Sequence, residues 1–506
     1  MNVDSVDGFS PVDFGDEWII TSGVSVRILP ENFNIETPPH QIGVSFITEG
    51  VVLPSETTID MKGRKEVKCD MTPFVLSASM DGKKSWTESE VKLQLSMAPL
   101  EVNGSKLLFP RFDEFEGMID RETIERIRKN EHINKFSHHD LFEIVRNEVR
   151  RIVEMPDSAS TVLSLWIIGT YIFQAFDAYP YIWFNGPKGS GKTRALELIE
   201  QTAYHAEMGM RISNPALFRD VHQHRATICY DEAENLLSHG GDKGDDQDRI
   251  SLFNSGYRSS GKVRLVEKIG DNFKTKCFCS YSPKAMASIH PIDEALQSRC
   301  LLINMMVAAD QKKSEVRIET SGCKKIRSML FLFRFSEGVG FFSTARDDAK
   351  DNELRKEYDL KNRDWELFKP ILLLADAFCP EWLGDVKNCI DGQKLIRQID
   401  NQFSPDATIL YSLKDFMEKA LHGANDAKPN ISFRDFLVEL KDKHPETKHM
   451  TERSIGGSIR RNGLTPLVGR NSRGMYLRCD PDLIASVMKR LGLTWDSENQ
   501  KQGVLF

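Results

Sequence analysis

Between about residues 15 and 110, apolar and β-branched residues fall in short runs, EWIITSGVSVRIL, QIGVSFITEGVVL and VKLQLSMAPLEV, separated by Pro, Gly, Asn and Asp. Runs of that length between turn formers predict strands, and so a β-rich region over residues 1–115. From Ile119 the spacing becomes helical and charged (RETIERIRKNEH, HHDLFEIVRNEVRRIVEM) and stops before Pro156, which predicts a helical connector over 116–156. Over 157–310 helical stretches alternate with short apolar runs: YIWF (181–184), MRI (210–212), TICY (227–230), CFCS (277–280) and LLINM (301–305). That alternation predicts an α/β core, a parallel sheet with helices on both faces. Residues 311–425 read as a helical lid. Residues 426–506 read as two helices, a glycine-containing third helix and a short hairpin.

The most apolar stretch, VLSLWIIGTYIFQAF (162–176), runs for 15 residues. Spanning a bilayer takes about 20, so it predicts a buried helix and no membrane association. At 506 residues several domains are expected; 40% hydrophobic and 28% charged residues form an ordinary globular balance. A formal net charge of -7 provides no global attraction to nucleic acid, so any such contact must be local. Nine cysteines without a CxxC pair point to a reducing compartment and away from a structural zinc. The acidic start, MNVDSVDGFS, has no signal-peptide character, so a cytoplasmic location is expected.

After YIWF comes GPKGSGKT, a full GxxxxGK[ST] match between a strand and a helix. Gly186, Pro187, Lys188, Gly189, Ser190 and Gly191 form a loop whose amides can face phosphates. Lys192 would reach the β and γ phosphates, and Thr193 would ligate Mg²⁺, which makes ATP and Mg²⁺ the expected cofactors. Asp231 and Glu232 follow TICY, at the C-terminal end of a buried strand, where open α/β sheets bind ligands. Asp231 would join the Mg²⁺ shell, and Glu232 would orient and polarise the attacking water. The letters DEAE invite comparison with DEAD-type helicases. Those are expected to have a much longer gap than the 39 positions from Lys192 to Asp231, and a downstream Ser-Ala-Thr motif that is absent here. The acidic stretch SHGGDKGDDQDR lacks the closing Glu of a calcium loop and reads as a mobile loop.

Downstream, GKVRLVEKIGDNFKTKCFCSYSP predicts a hairpin or strand pair leading into a central strand. Ser282, or failing that Ser280, is the candidate γ-phosphate sensor at that strand's end. From Lys448 to Arg478 seven residues are basic and one is acidic, a local excess in an acidic chain. There SFRDFLVELKDKH reads as one helix, TERSIGGSIRRNG as a recognition helix and LVGRNSRGMYLRC as a wing. Gly456, Gly457 and Ser458 would allow close approach to DNA, and Arg460, Arg461, Arg470 and Arg473 could contact phosphates or bases. A protein-binding winged helix or a basic lid surface is the alternative.

In order over about residues 180 to 380, the pieces NPALFRDV, TICYDEAE, LFNSGYRSSGKV, SYSPKAMASI, LQSRCLLINM and NRDWELFKPILLLADAF accompany the phosphate loop. Together they resemble the helicase-like P-loop ATPases of phages, plasmids and integrative elements, related to minichromosome-maintenance and superfamily-3 ring helicases. The resemblance implies an AAA+-type core and a homo-hexameric DNA motor with ATP sites at subunit interfaces. It implies that Arg299 reaches a neighbour's nucleotide, and that hairpin residues Lys262, Arg264 and Lys268 touch DNA in a central channel. Arg363 matches a lid position that is either a second sensor or a helix-stabilising residue. A primase or initiator is the candidate partner, although the N-terminal region carries no primase or zinc-finger motif. Two other classes remain open: a DNA-bound regulatory or defence ATPase that unwinds nothing, and a protein-remodelling AAA+ machine, for which no aromatic-Gly pore loop stands at the expected place.

Overall fold

A computed structural model describes residues 119–129, 137–209, 212–234, 243–269, 272–309, 313, 315–402, 404–422, 429–471, 474–491 and 493, together with nine strands between Trp18 and Leu108. The chain divides into two compact units, Met1–Cys389 and Ile390–Phe506.

In the first unit, β1 (Trp18–Thr21) and β2 (Val24–Arg27) form a hairpin. Strand β3 (Asn34–Glu36) pairs with β9 (Ser105–Leu108), which also pairs with β8 (Leu100–Val102). Strands β4 (Gln41–Ile42), β5 (Phe46–Met61), β6 (Arg64–Ser79) and β7 (Val91–Leu95) make an antiparallel sheet in that order. Helices α1 (Arg121–Arg128) and α2 (His138–Ile152) follow, capped by Asp120 and Ser137, whose side chains accept the amides of Thr123 and Asp140.

The apolar 162–176 stretch supplies most of α3 (Asp157–Thr170), which is buried from Ala159 onward on all sides. Its polar atoms are satisfied internally: Trp166 Nε1 donates to the Pro180 carbonyl at 2.7 Å, and Tyr179 Oη donates to the Trp166 carbonyl at 2.6 Å. No described helix is long and apolar enough to cross a membrane.

Five parallel strands form the central sheet: β10 (Tyr181–Asn185), β11 (Ala206–Met208), β12 (Thr227–Tyr230), β15 (Lys284–Ser288) and β16 (Cys300–Asn304), in the order β11-β12-β15-β10-β16. Two expected strands differ. Met210 and Arg211 of MRI lie outside the described residues, and the edge strand is formed earlier, by β11. The expected central strand CFCS instead ends β14 (Asn272–Cys279), which pairs antiparallel with β13 (Lys262–Ile269) as a hairpin. The true central strand, KAMAS, begins on a lysine, which hides it from a hydrophobicity reading.

That lysine, Lys284, is fully buried. Its Nζ donates to the Ser280 carbonyl at 3.1 Å, the Ser282 carbonyl at 3.1 Å and Ser282 Oγ at 3.2 Å, and stands 5.0 Å from the centre of the Tyr181 ring. The loop leaving the hairpin is thereby tied to the start of β15. Gly256 lies against this knot, since a Cβ there would stand 2.2 Å from the Ser280 carbonyl oxygen and 2.4 Å from Lys284 Nζ.

Around the sheet stand α4 (Lys192–Thr202), α5 (Asn214–His224), α6 (Lys243–Ser255) and α7 (Glu294–Gln297). The segment expected as a lid forms α8 (Thr320–Thr344), α9 (Asp348–Glu357), α10 (Asn362–Phe378) and α11 (Leu383–Gln402), the last crossing the boundary between the units. Helix α8 packs against α4 and β5. A fully buried ionic cluster joins those parts. Glu49 of β5 has Oε2 3.2 Å from Arg334 Nε of α8 and Oε1 2.9 Å from His205 Nε2, the latter an ion-pair contact outside hydrogen-bond geometry. Tyr204 Oη donates to Glu49 Oε2 at 2.8 Å, and Arg334 also donates to the Tyr171 carbonyl at 2.6 Å.

The second unit contains α12 (Pro405–His422), β17 (Asn430–Ser432), α13 (Phe433–Lys443), α14 (Glu452–Ile459), β18 (Val468–Asn471), β19 (Gly474–Arg478) and α15 (Pro481–Arg490). Its three strands form an antiparallel sheet in the order β17-β19-β18. Leu410, Leu413, Phe436, Leu440, Ile455, Ile459, Leu477 and Ile484 centre its own apolar core.

Burial pushes the Lys284 ammonium down to about 7 from its ordinary 10.5. Between those values the unfolded chain binds more protons than the fold, so this group's contribution to stability rises with pH. The wild-type minus Lys284→Met difference in unfolding free energy is therefore expected to increase from about pH 7 to about pH 9.5. Denaturant titrations across that range check it; parallel pH profiles for the two proteins would contradict the buried amine.

Candidate functional site

Strand β10 ends at Asn185, and Gly186 to Gly191 turn the chain into α4, which begins at Lys192. Gly189 and Gly191 have φ of 81° and 86°, a left-handed backbone that favours glycine. At Gly186 a Cβ would stand 2.2 Å from the Met305 carbonyl oxygen, so bare backbone is required there. Pro187 and Lys188 are exposed at the mouth of the loop, while Ser190 is buried. Lys192 Nζ lies inside the loop, donating to the carbonyls of Gly186 at 2.7 Å and Pro187 at 2.8 Å. An ammonium in a ring of backbone dipoles at a helix N-terminus is suited to polyphosphate.

On the next strand but one, β12 ends at Tyr230 and delivers Asp231. Thr193 Oγ1 donates to Asp231 Oδ2 at 2.6 Å, so the two residues read from separate motifs meet. Asp231 Oδ1 accepts the Glu232 amide at 2.9 Å. Glu232 is exposed with φ of 54°, a left-handed backbone that costs a glutamate about 1–3 kcal/mol and often marks functional sites. The Thr193 hydroxyl and Asp231 carboxylate are adjacent hard oxygen donors, a pair that fits Mg²⁺.

These residues line a cavity of about 600 Å³, from Lys188 through Arg194 and Glu197 to Asp231, Glu232, Glu234, Ser288 and Ile289. The last three were not legible in the sequence. Strand β15 lies between β10 and β12 in the sheet, and Asn185 pairs with Ser288. The C-terminal end of β15 therefore emerges between the phosphate loop and the acidic pair. Ser288 is buried, and its Oγ accepts from Trp183 Nε1 at 2.7 Å.

Ser282 and Ser280, the expected sensors, stand elsewhere. Both are fully buried before β15 begins, where Ser282 Oγ meets Lys284 and Ser280 Oγ accepts from Ser255 Oγ. Ser282 precedes Ser288 by six residues, about 20 Å of extended chain, so it marks the wrong end of the strand. The error follows from taking CFCS for the central strand.

Arg299 precedes β16 and is likewise at the N-terminal edge of the sheet. Its Nε donates to the Asn254 carbonyl at 3.1 Å and its guanidinium also meets the Ala295 carbonyl, so it does not enter its own chain's phosphate cavity. Arg363, in the first turn of α10, also stays out: its guanidinium lies 4.9 Å from the Tyr257 ring centre and 3.5 Å from Glu366. As a lid sensor it is not brought to the site, because the start of α10 packs beside Tyr257, whose carbonyl accepts the Tyr179 amide just ahead of β10. Within SHGGDKGDDQDR, residues 243–249 are helical as the start of α6 rather than loop, and the earlier part lies outside the described residues. Arg249 there donates to Asn214 Oδ1 at 2.6 Å and Tyr230 Oη at 2.8 Å, bracing the strand that carries Asp231.

On the hairpin, Lys262, Arg264 and Val266 alternate along one face of β13, all exposed, with Val266 at 66%. Lys268 continues that strand opposite Phe273. The sequence reading passed over Lys274 and Lys276 of β14, which stand opposite Glu267 and Leu265. In the second unit, Arg460, Arg461 and Arg470 are exposed, and Arg473 lies outside the described residues. Gly456 and Ser458 do not provide an approach surface: Gly456 is buried near Phe433, and Ser458 Oγ donates to Asp406 Oδ1 at 2.6 Å. The exposed residues of α14 are instead Glu452, Arg453 and Ser454, with Gly457 half-buried, continued by Arg460 and Arg461. Arg453 is thus a further candidate, found from helical phase and not from composition.

No family model matches the chain, and no curated protein sequence matches it. Among solved structures, JCV helicase is 14% identical over 50% of this chain and 71% of its own, with a TM-score of 0.27. The C-terminal region of NrS-1 is 12% identical over 76% and 82%, with a TM-score of 0.30. A full-length MCM homolog from Methanopyrus kandleri is 10% identical over 68% and 76%, with a TM-score of 0.31. Overlaps this loose carry no residue correspondence, and the functional reading rests on the site itself.

The contact between Ser288 and Trp183 has a measurable consequence. Ser288→Ala leaves a buried indole N–H without its acceptor, which is expected to cost about 1–3 kcal/mol. The shift should appear in the urea midpoint at constant m-value; an unmoved midpoint would contradict the contact.

Proposed function

We propose that this protein is an ATP-dependent DNA helicase or translocase, acting as an oligomeric ring with nucleotide sites between subunits. The observation that carries the reading is the meeting of Thr193 with Asp231 inside the phosphate cavity, on a sheet whose central strand is entered directly from a basic hairpin. The sequence resemblance to ATPases of mobile elements supports a place in their replication, with a hexamer as the ring and a primase or initiator as partner.

In this reading the loop amides and the Lys192 ammonium bind the β and γ phosphates, and Thr193 with Asp231 would hold Mg²⁺. The metal would neutralise charge on the β and γ oxygens. Glu232 accepts a proton from a water aligned with the γ-phosphorus, water oxygen forms the new P–O bond, and the bond to the β-phosphate oxygen breaks. Ser288, held by Trp183, offers its hydroxyl hydrogen to the γ-phosphate. Arg299 lies too far along the sheet to serve its own site, which is compatible with service to a neighbour's, where such an arginine contributes about 10³- to 10⁵-fold. The hairpin cations would grip the DNA backbone without base preference.

Unwinding of a forked duplex with Mg-ATP tests the reading. The wild type is expected to separate strands, Lys192→Ala to be inactive, and Glu232→Gln to lose about 10²- to 10⁴-fold in hydrolysis. DNA-independent hydrolysis without strand separation would favour a regulatory ATPase instead.

The second unit is proposed as a winged-helix duplex binder, on the strength of its exposed arginine face. Replacing Arg460 and Arg461 with Ala is expected to weaken duplex binding and to reduce the salt slope of log K by about 2. Fluorescence anisotropy at several salt concentrations measures both quantities; an unchanged slope would remove these arginines from the phosphate contact.

A further inference from the structure

We infer that Glu234, the last letter of DEAE, is the positioning residue that sets Ser288 against the γ-phosphate; this inference rests on the hydrolytic reading of the site. Backbone pairing between β12 and β15 runs Ile228 to Lys284, Cys229 to Ala285 and Tyr230 to Met286, and goes no further. Past Met286, β15 continues to pair with β10, through Phe184 to Ala287 and Asn185 to Ser288. On the β12 side the link is taken over by a side chain. Glu234 Oε1 accepts the amide of Ile289, the residue after Ser288, at 3.2 Å.

Ser288 is thus fixed from two directions at the point where it enters the cavity. On one side its Oγ accepts from Trp183 Nε1, which occupies an acceptor position and leaves the hydroxyl hydrogen to donate. On the other side the following peptide is held by Glu234. A donor aimed at developing negative charge works because it does not have to reorganise during the reaction, and a peptide free to swing would forfeit that advantage.

The second oxygen of the same carboxylate, Oε2, is buried and has no hydrogen-bond partner. An unpaired buried acceptor costs free energy. The tie to Ile289 needs only one acceptor oxygen, so a glutamine can keep it. Alanine removes it altogether. Those two substitutions separate positioning from charge.

The test uses the full chain, Mg-ATP for single-turnover hydrolysis and a fluorescent ATP analogue for affinity. Glu234→Ala is expected to slow the hydrolytic step about 10- to 100-fold, the usual loss for a supporting contact, with nucleotide Kd within about threefold of wild type. Glu234→Gln is expected to recover most of the rate. Because Glu234 acts through Ser288, the double variant Glu234→Ala/Ser288→Ala should be no slower than the worse single variant. Several outcomes overturn the inference: a Glu234→Ala rate equal to wild type, a Glu234→Gln variant as slow as Glu234→Ala, a loss of affinity equal to the loss of rate, or multiplicative losses in the double variant. A wild-type protein with no Lys192-dependent hydrolysis removes the reading of the site, and the inference with it; hydrolysis that survives while the Glu234 pattern fails removes the inference alone.

Discussion

The site depends on one constraint, the placement of β15 between β10 and β12 in a parallel sheet. With Asn185 level with Ser288, and Tyr230 level with Met286, three strand ends reach the same edge within a few residues. The phosphate loop leaves one of them, the acidic pair leaves another, and a small hydroxyl leaves the strand between. The 2.6 Å contact between Thr193 and Asp231 crosses the end of β15. The geometry of the candidate site is therefore a property of the sheet register as much as of the motifs.

The same strand has a second role at its other end. Lys284 gathers the loop that leaves the basic hairpin, and Ser288 faces the cavity only five residues into the strand. A short, fully buried strand is stiff, so a displacement at the nucleotide end has a direct mechanical path to the base of the hairpin. The candidate site and the base of the basic hairpin are thus attached to one element.

What was legible in the sequence was local. GPKGSGKT and TICYDE are read from adjacent residue types because backbone turn and strand end are set within a few positions, and the apolar run is buried as its composition predicts, with its first nine residues, Val162 to Thr170, in α3. Ser288 was missed because its strand starts with a charged residue and is short, while CFCS presented a better β pattern in the neighbouring hairpin. Glu234 was missed because its significance lies in one amide 55 residues away, which no spacing rule connects. In the second unit composition does not distinguish the faces: Gly456 and Ser458 of α14 turn inward, and only the phase of the helix shows which arginines turn out.

The Glu49 cluster bears on how separable the parts of this chain are. One carboxylate from a β-strand near the start of the protein meets a guanidinium from a helix nearly three hundred residues later, and a histidine from the sheet region between them, all sealed from water. Deleting the N-terminal strands would strand two basic groups in the interior, a loss of about 3–5 kcal/mol for a broken buried pair. The N-terminal sheet is therefore a structural component of the unit that carries the candidate site and not an appended module. A shortened protein begun at the GPKGSGKT loop would be incomplete in its folding, and any recombination that transplants this sheet has to carry the early strand along with it.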